Sequence, residues 1–281
     1  MADVSAASRA RERILKKLAA RSHSLSFVVL MGSLDQVAVV VPCLNEAVAI
    51  RSLVTEIRDF LPHVLVIDDG SADCTAAEAV WAGAKVLTHT SPRGKGAALQ
   101  SGFAAALDQG FEWALAMDGD GQHAPSDIPR FVTRLESNPT AMRIGDRMQS
   151  PILMPFVRRM VNRWMSQRLG NYCGRYLPDS QCGFRLINLD VWRRFRFSAQ
   201  HFEIESELIV RFLKAGLQID FVPVQCRYAS EHSKIRPLRD TLRWFRWWKA
   251  IRCELAMIPN TTTAAIRRDP HFAHTAQDAP A

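Results

Sequence analysis

From Val37 onward the chain alternates between short unbroken apolar runs and longer stretches of helical period. The runs are Val37-Ala-Val-Val-Val, Val64-Leu-Val-Ile, Lys85-Val-Leu and Trp113-Ala-Leu-Ala-Met. Continuous rather than alternating hydrophobicity marks strands covered on both faces, as in a parallel sheet. Between them, segments at about 46–60, 73–83, 95–109 and 126–137 read as helices. Strands alternating with helices of this length predict an α/β fold, with a Rossmann-like, mostly parallel central sheet flanked by helices. Past Arg147 the rhythm loosens. A helix at about 155–169, an irregular segment from Asp179 to Arg185, a helix at about 203–215 and a strand at about 218–224 follow. A polar loop, Glu231-His-Ser-Lys-Ile235, then leads to a basic-aromatic helix. The expected organisation is a basic extension over 1–35, a single catalytic domain over 36–235, an amphipathic helix over 236–258 and a disordered tail over 259–281.

In sheets of this kind ligands bind at the carboxyl ends of the strands. Here those ends are polar: Pro42-Cys-Leu-Asn-Glu46, Asp68-Asp-Gly-Ser71 and Asp118-Gly-Asp120. Composition supports a globular chain, with 48% hydrophobic and 23% charged residues. The net charge of +8 points to an anionic partner without choosing between phosphorylated substrate, acidic membrane surface and nucleic acid. The six cysteines form no CxxC pair and no Cys/His ligand set, which reads as reduced thiols in a cytosolic protein. No run approaches the roughly 18 apolar residues of a membrane-spanning helix. If a membrane is involved, the protein touches it from the side.

The chemistry centres on Asp118-Gly-Asp120-Gly-Gln122-His123. Two carboxylates two residues apart, on a turn that Gly119 and Gly121 permit, form an oxygen-rich site. Such a site suits Mg²⁺ or Mn²⁺, which also bind substrate phosphates. A polar turn that caps the next helix is the competing explanation. In Asp68-Asp69-Gly-Ser-Ala-Asp73, Ser71 or Asp73 serves as a helix cap, while the adjacent Asp pair needs hydrogen-bond donors such as ribose hydroxyls or base N–H groups. Arg93-Gly-Lys95-Gly96 offers a cationic turn at a helix start, suited to an anion or simply to a solvated loop.

Together, Val41-Pro-Cys-Leu-Asn-Glu46, Asp68 to Thr75, Gly94 to Ala98, Met117 to Pro125 and Gln181-Cys-Gly-Phe-Arg185 resemble family 2 glycosyltransferases, in the order expected of them. The branch they are similar to contains dolichyl-phosphate mannose synthase and bacterial polyprenyl-phosphate sugar transferases. The resemblance spans about residues 37 to 235 and implies a GT-A fold and inverting transfer from a UDP- or GDP-linked sugar. It also implies that Pro42, Leu44, Glu46 and Asp68 line the base and ribose site, with Asp69 and Lys95 nearby. Asp118 would sit by the ribose and the metal, and Asp120 and Gln122 would hold the cation. Arg147, Lys234 and one of Arg158 or Arg159 match positions of phosphate-binding cations for the acceptor. Glu203 and Glu205 match a region whose carboxylate acts as general base on hydroxyl acceptors. Cys43-Leu44 departs from the more usual polar or aromatic pair, which leaves the base open.

In the C-terminal helix, Arg239, Arg243 and Arg246 share one face, and Leu238, Leu242, Phe245 and Trp248 another. That pattern fits an interfacial helix on anionic lipid or a helix packed on the domain with its arginines in solvent. Nucleic acid is not expected, because no binding motif accompanies it. The preferred acceptor is therefore a polyprenyl phosphate at the cytoplasmic membrane face. A hydroxyl acceptor is the alternative, followed by an inactive membrane-bound scaffold.

Overall fold

The computed structural model describes residues 34–133, 135, 140–149, 154–227 and 237–257. The basic extension apart from its last two residues, the loop carrying Lys234 and the tail therefore lie outside the described residues. Seven strands form one sheet: β1 (Val37–Cys43), β2 (Val64–Asp68), β3 (Lys85–Thr88), β4 (Trp113–Ala116), β5 (Met142–Asp146), β6 (Arg185–Asn188) and β7 (Ile219–Pro223). Their order is β3-β2-β1-β4-β6-β5-β7. β3, β2, β1 and β4 run parallel, β6 is antiparallel to both neighbours, and β5 and β7 pair in parallel. The fold is thus the α/β, mostly parallel GT-A arrangement, in a single domain.

The long helices are α1 (Ala47–Arg58), α2 (Thr75–Trp81), α3 (Lys95–Asp108), α5 (Phe156–Cys173), α7 (Ile204–Lys214) and α8 (Pro237–Met257). Two short ones, α4 (Ile128–Val132) and α6 (Leu189–Trp192), follow a 3₁₀ turn and β6 respectively. The core strands are uniformly buried β-branched and aliphatic runs. α1 meets the core through Ile50, Leu53, Val54 and Ile57, the i, i+3, i+4, i+7 stripe of an amphipathic helix. α3 comes close to the sheet because its buried face is made of small residues; a Cβ on Gly102 would stand 2.3 Å from Val40 Cγ1.

The structure departs from the sequence expectation in four places. Lys85-Val-Leu is not a buried strand: β3 is the sheet edge and largely exposed. The helix expected over 126–137 stops at Val132, where the buried Arg143 guanidinium takes the carbonyls of Phe131 and Thr133 at 2.5 and 2.6 Å. β5, just before Arg147, and β6, in the stretch without regular rhythm, were not among the strands expected. Finally, the expected apolar stripe of α8 splits. Trp248 packs inward with Trp244, Trp247 and Ile251, whereas Leu242 and Phe245 stay exposed. The side chain of Leu238 is outside the description.

Candidate active site

The polar strand ends converge. After β1 the chain turns at Asn45, the one described non-glycine residue at positive φ (54°). This turn is tied to the loop after β2 from both sides. Asn45 N–H donates to Ser71 Oγ at 2.8 Å, and Ala72 N–H donates to Asn45 Oδ1 at 2.8 Å. Glu46 N–H donates to Thr75 Oγ1 at 2.8 Å, and Ala47 N–H to Asp73 Oδ2 at 3.2 Å. Ser71 and Asp73 therefore fasten the neighbouring loop rather than serving only as caps, and the residue that caps α2 is Cys74, with no side-chain bond. Pro42, Leu44 and Glu46, expected to line the base site, are half-buried along this seam.

The Asp pair divides its duties. Asp68 Oδ1 accepts Ser71 N–H at 3.0 Å, which shapes the turn. Asp69 is buried and accepts from Arg93 N–H (2.9 Å) and Gly94 N–H (2.7 Å), with His89 Nδ1 at 2.7 Å. Both Asp69 oxygens are thus committed to holding the Arg93–Gly96 turn, and this fixes Lys95 at the start of α3. Asp69 supports the site rather than presenting a free carboxylate to a ribose.

Lys95 is the centre of the arrangement. Its Nζ stands 2.6 Å from Asp118 Oδ1 and 2.6 Å from Glu205 Oε1. Burial opposes the ammonium charge, but the two carboxylates outweigh it and hold Lys95 well above the usual lysine range. Asp118 in turn is held far below the carboxylate range: burial raises it, and Lys95 and His123 more than reverse that. His123 Nε2 lies 3.4 Å from Asp118 Oδ2. Burial disfavours the imidazolium, yet Asp118 and Cys226 lift His123 to about 9. The strand end is packed tightly from two sides. A Cβ on Gly119 would stand 2.6 Å from Cys43 Sγ, and one on Gly183 would stand 2.5 Å from Asp118 Oδ1.

Asp120 occupies the turn beyond, where its Oδ1 accepts Gln122 N–H at 3.0 Å. No cluster of three His, Cys, Asp or Glu ligands occurs among the described residues. The donor set nevertheless fits a hard divalent cation. Asp118 and Asp120 share one turn, an ammonium already sits at Asp118, and Mg²⁺ or Mn²⁺ characteristically takes only one or two carboxylates and completes its shell with substrate phosphate and water. Gln122 would approach through its side-chain oxygen; its carbonyl is taken by Arg227 N–H at 2.9 Å.

The two glutamates separate. Glu205 is buried against Lys95 with Oε2 unpartnered, whereas Glu203 turns toward α8, 3.6 Å from Arg243 Nε, with both oxygens lacking a hydrogen bond. Burial, the largest influence, raises Glu203 above its ordinary range. Arg147 is buried in a two-point pair with Asp179, Nε at 2.7 Å and Nη2 at 2.9 Å, so the expected acceptor cation already has a partner. Arg158 and Arg159 lie on the first turns of α5, Arg159 over the Phe156 ring at 5.5 Å. Sequence reasoning assigned no role to Arg185 or Asp179. Arg185, fully buried, donates to the carbonyls of Cys182, Glu205 and Ser180 at 2.7, 2.6 and 2.8 Å, pinning the Gly183 loop to α7. The available signal was a pair of opposite charges bracketing an uncharged, glycine-containing segment, Ser180 to Phe184.

The loops at the carboxyl ends of the strands thus bring Asp118 and Lys95 against Glu205 of α7, and the comparison with known sequences shows which class of protein carries this arrangement. The chain belongs to glycosyl transferase family 2, whose model matches residues 38–195. A UDP-N-acetylglucosamine–dolichyl-phosphate N-acetylglucosaminyltransferase of Methanococcus voltae is 26% identical, over 70% of this chain and 87% of that protein. An undecaprenyl-phosphate mannosyltransferase of Micrococcus luteus is 29% identical, over 67% of this chain and 82% of its own. Among solved structures, glucosyl-3-phosphoglycerate synthase of Mycobacterium tuberculosis in complex with UDP superposes with a TM-score of 0.65 at 23% identity, covering 85% of this chain and 86% of that one. That likeness carries the fold.

Proposed function

We propose that the protein transfers a sugar from a UDP- or GDP-linked donor to a polyprenyl phosphate at the cytoplasmic face of a membrane, with inversion at the anomeric carbon. The observation that carries this reading is the Lys95 ammonium shared by Asp118 and Glu205 at the carboxyl ends of the strands. The two relatives named above, each acting on a polyprenyl-type phosphate by name, support the acceptor class.

The donor's base and ribose lie in the seam formed by Pro42, Leu44, Glu46 and Asp68. Asp118 and Asp120, with Gln122, would hold Mg²⁺ or Mn²⁺, and such a cation would supply positive charge to the departing diphosphate. Lys95 keeps Asp118 ionised and aimed by standing on its Oδ1, and its second contact, to Glu205 Oε1, fixes the ammonium between the two side chains. An acceptor phosphate oxygen attacks the anomeric carbon from the face opposite the diphosphate; the new C–O bond forms as the bond to the leaving oxygen breaks. Such an acceptor is already ionised and needs no base, so positioning and electrostatics supply the rate. Lys234 and one of Arg158 or Arg159 are the proposed partners of the acceptor phosphate. Arg147 instead shapes that wall through Asp179.

A hydroxyl acceptor is the second reading, favoured by the unpartnered Oε2 of Glu205, which would then accept the acceptor's proton. Calorimetric titration of UDP and GDP, each with and without Mn²⁺ or Mg²⁺, tests the donor half; no metal-dependent binding of either nucleotide refutes it. Transfer of radiolabelled sugar to detergent-dispersed polyprenyl phosphate tests the acceptor. Activity on polyprenol but not on its phosphate would shift the assignment to the hydroxyl reading.

A further inference from the structure

α5 is amphipathic the wrong way round. A helix on the flank of a domain normally buries its apolar stripe and turns polar residues to solvent. Along α5 the buried residues are Asn162, Ser166, Leu169 and Gly170. Asn162 donates to Asp179 Oδ1 at 2.9 Å, and Ser166 Oγ accepts Ser180 N–H at 2.9 Å. On the opposite side Phe156 is 62% exposed, Val157 71%, Met160 55% and Val161 41%. Their i, i+1, i+4, i+5 spacing places all four on one side of the first two turns. Single exposed apolar residues need no explanation, but a contiguous set on a helix that turns Asn162 and Ser166 inward does.

The patch continues onto α8. Trp164, on the same side of α5, meets Phe245 with ring centroids 5.4 Å apart, and Leu242, one turn before Phe245, is 60% exposed. The surroundings of the patch are basic. Between Phe156 and Cys173 the only charged residues are Arg158, Arg159, Arg163 and Arg168, with no acid. Arg246 and Lys249 are exposed on the neighbouring helix.

We infer that α5 and α8 together form a bilayer-docking face, in which Phe156, Val157, Met160, Leu242 and Phe245 enter the headgroup boundary of an anionic leaflet while the surrounding arginines meet lipid phosphates. An apolar centre with a cationic rim is the chemistry of an interfacial surface. A second copy of the chain fits less well, because a two-fold contact through this patch sets one basic rim against another. Nucleic acid fits less well too, because Val157, Met160, Val161 and Leu242 make most of the patch aliphatic, with only Phe156 and Phe245 offering a ring to stack on. The inference rests on the lipid-acceptor reading and makes α5, not the tryptophans of α8, the main inserting element; those tryptophans are structural, with Trp244 Nε1 donating to Ser206 Oγ at 3.0 Å.

The test is co-sedimentation of the full chain with vesicles of phosphatidylcholine alone and with added phosphatidylglycerol, for the wild type, for Phe156→Ser/Met160→Ser, and for Val157→Glu. Trp81→Ser, which removes an exposed apolar ring elsewhere (71% exposed), is the control. Circular dichroism checks folding, and UDP and GDP titration with metal is run on the same preparations. The expected result is binding that requires phosphatidylglycerol, falls at least tenfold in both patch variants and persists in the control, with nucleotide binding unchanged throughout. Patch variants that bind vesicles like the wild type overturn the inference. So does a wild type that binds nucleotide but no vesicle, or a dimer seen by light scattering that the patch variants dissolve without losing vesicle binding. Absence of nucleotide binding in all preparations strikes the donor reading instead, whatever the vesicles show.

Discussion

Replacing Lys95 with Met removes a charge on which two carboxylates depend. The ammonium lies 2.6 Å from each, and Glu205 is almost wholly buried while Asp118 is partly open to solvent. At an effective dielectric of about 20, a contact of this kind gains about 4 kcal/mol before desolvation is counted. Breaking a buried pair by deleting one member typically costs about 3–5 kcal/mol; partial exposure of Asp118 argues for the low end, about 3 kcal/mol. With m of about 2–3 kcal/mol per molar, the urea midpoint at pH 7.5 falls by about 1 M. The pH dependence gives the sharper check. In the wild type Asp118 titrates far below its unfolded value, so its contribution is complete above the unfolded carboxylate range and disappears as pH falls toward the folded value. In Lys95→Met Asp118 loses its counter-charge, its folded value rises, and protonation relieves it. The gap between the two proteins is therefore widest near neutral pH and narrows steadily below about pH 5. Urea unfolding at both pH values, in the absence of divalent cations, measures it. An unchanged midpoint at pH 7.5, or a deficit of equal size in acid, would refute the account of Lys95 as the keystone of the site.

Three further outcomes follow from the same geometry. Gly183→Ala places a Cβ 2.5 and 2.6 Å from the two Asp118 oxygens. The carboxylate must swing off Lys95, so metal-dependent nucleotide binding weakens about 10–100-fold while melting moves little, as calorimetry on the folded variant will show. Asp179→Asn leaves the buried Arg147 without its counter-charge and lowers stability by about 3 kcal/mol at pH 7, a loss readable by urea unfolding. Because the arginine outweighs burial and holds Asp179 below its ordinary range, the difference fades as pH falls below about 4. Glu203→Gln acts in the opposite sense. Burial raises the Glu203 carboxyl, so its ionisation costs stability as pH climbs, and the amide gains up to about 1 kcal/mol near pH 8 and nothing near pH 4. Transfer activity survives in that variant and is lost in Glu205→Gln; equal loss in both would remove the distinction drawn between them.

The first half of the fold was legible because local and global signals coincide there. Val37–Cys43 and Val64–Asp68 are unbroken apolar runs, and each ends in the polar residues that the sheet geometry turns into a site. β5 and β6 were not legible, since Arg143, Gly145 and Arg185 interrupt their apolar pattern. The two arginines are buried only because distant carbonyls satisfy them, a contact that no periodicity announces. The functional residues were legible as motifs but not as partners. Asp69 and Asp68 read as one pair, and only the folded chain shows Asp69 spent on the Arg93–Gly94 amides. Similarly, Arg147 looked like an open cation until Asp179, 32 residues on, came to face it. The α8 stripe was ambiguous because a helix side rich in tryptophan satisfies both burial and lipid contact; packing assigned the three tryptophans to the interior.

The seam between the loops after β1 and β2 has a thermodynamic consequence. Its backbone amides at Asn45, Glu46 and Ala47 and at Ala72 are already satisfied by side chains of the opposite loop. If the seam holds the donor's base, as proposed, the nucleotide would meet walls whose conformational entropy was lost during folding, not at the moment of binding. Little of a donor's affinity would then be consumed in ordering these loops. On that proposal base discrimination would be a matter of fixed shape, so exchanging Leu44 for a larger or smaller side chain would alter which base fits without altering how readily the loops assemble.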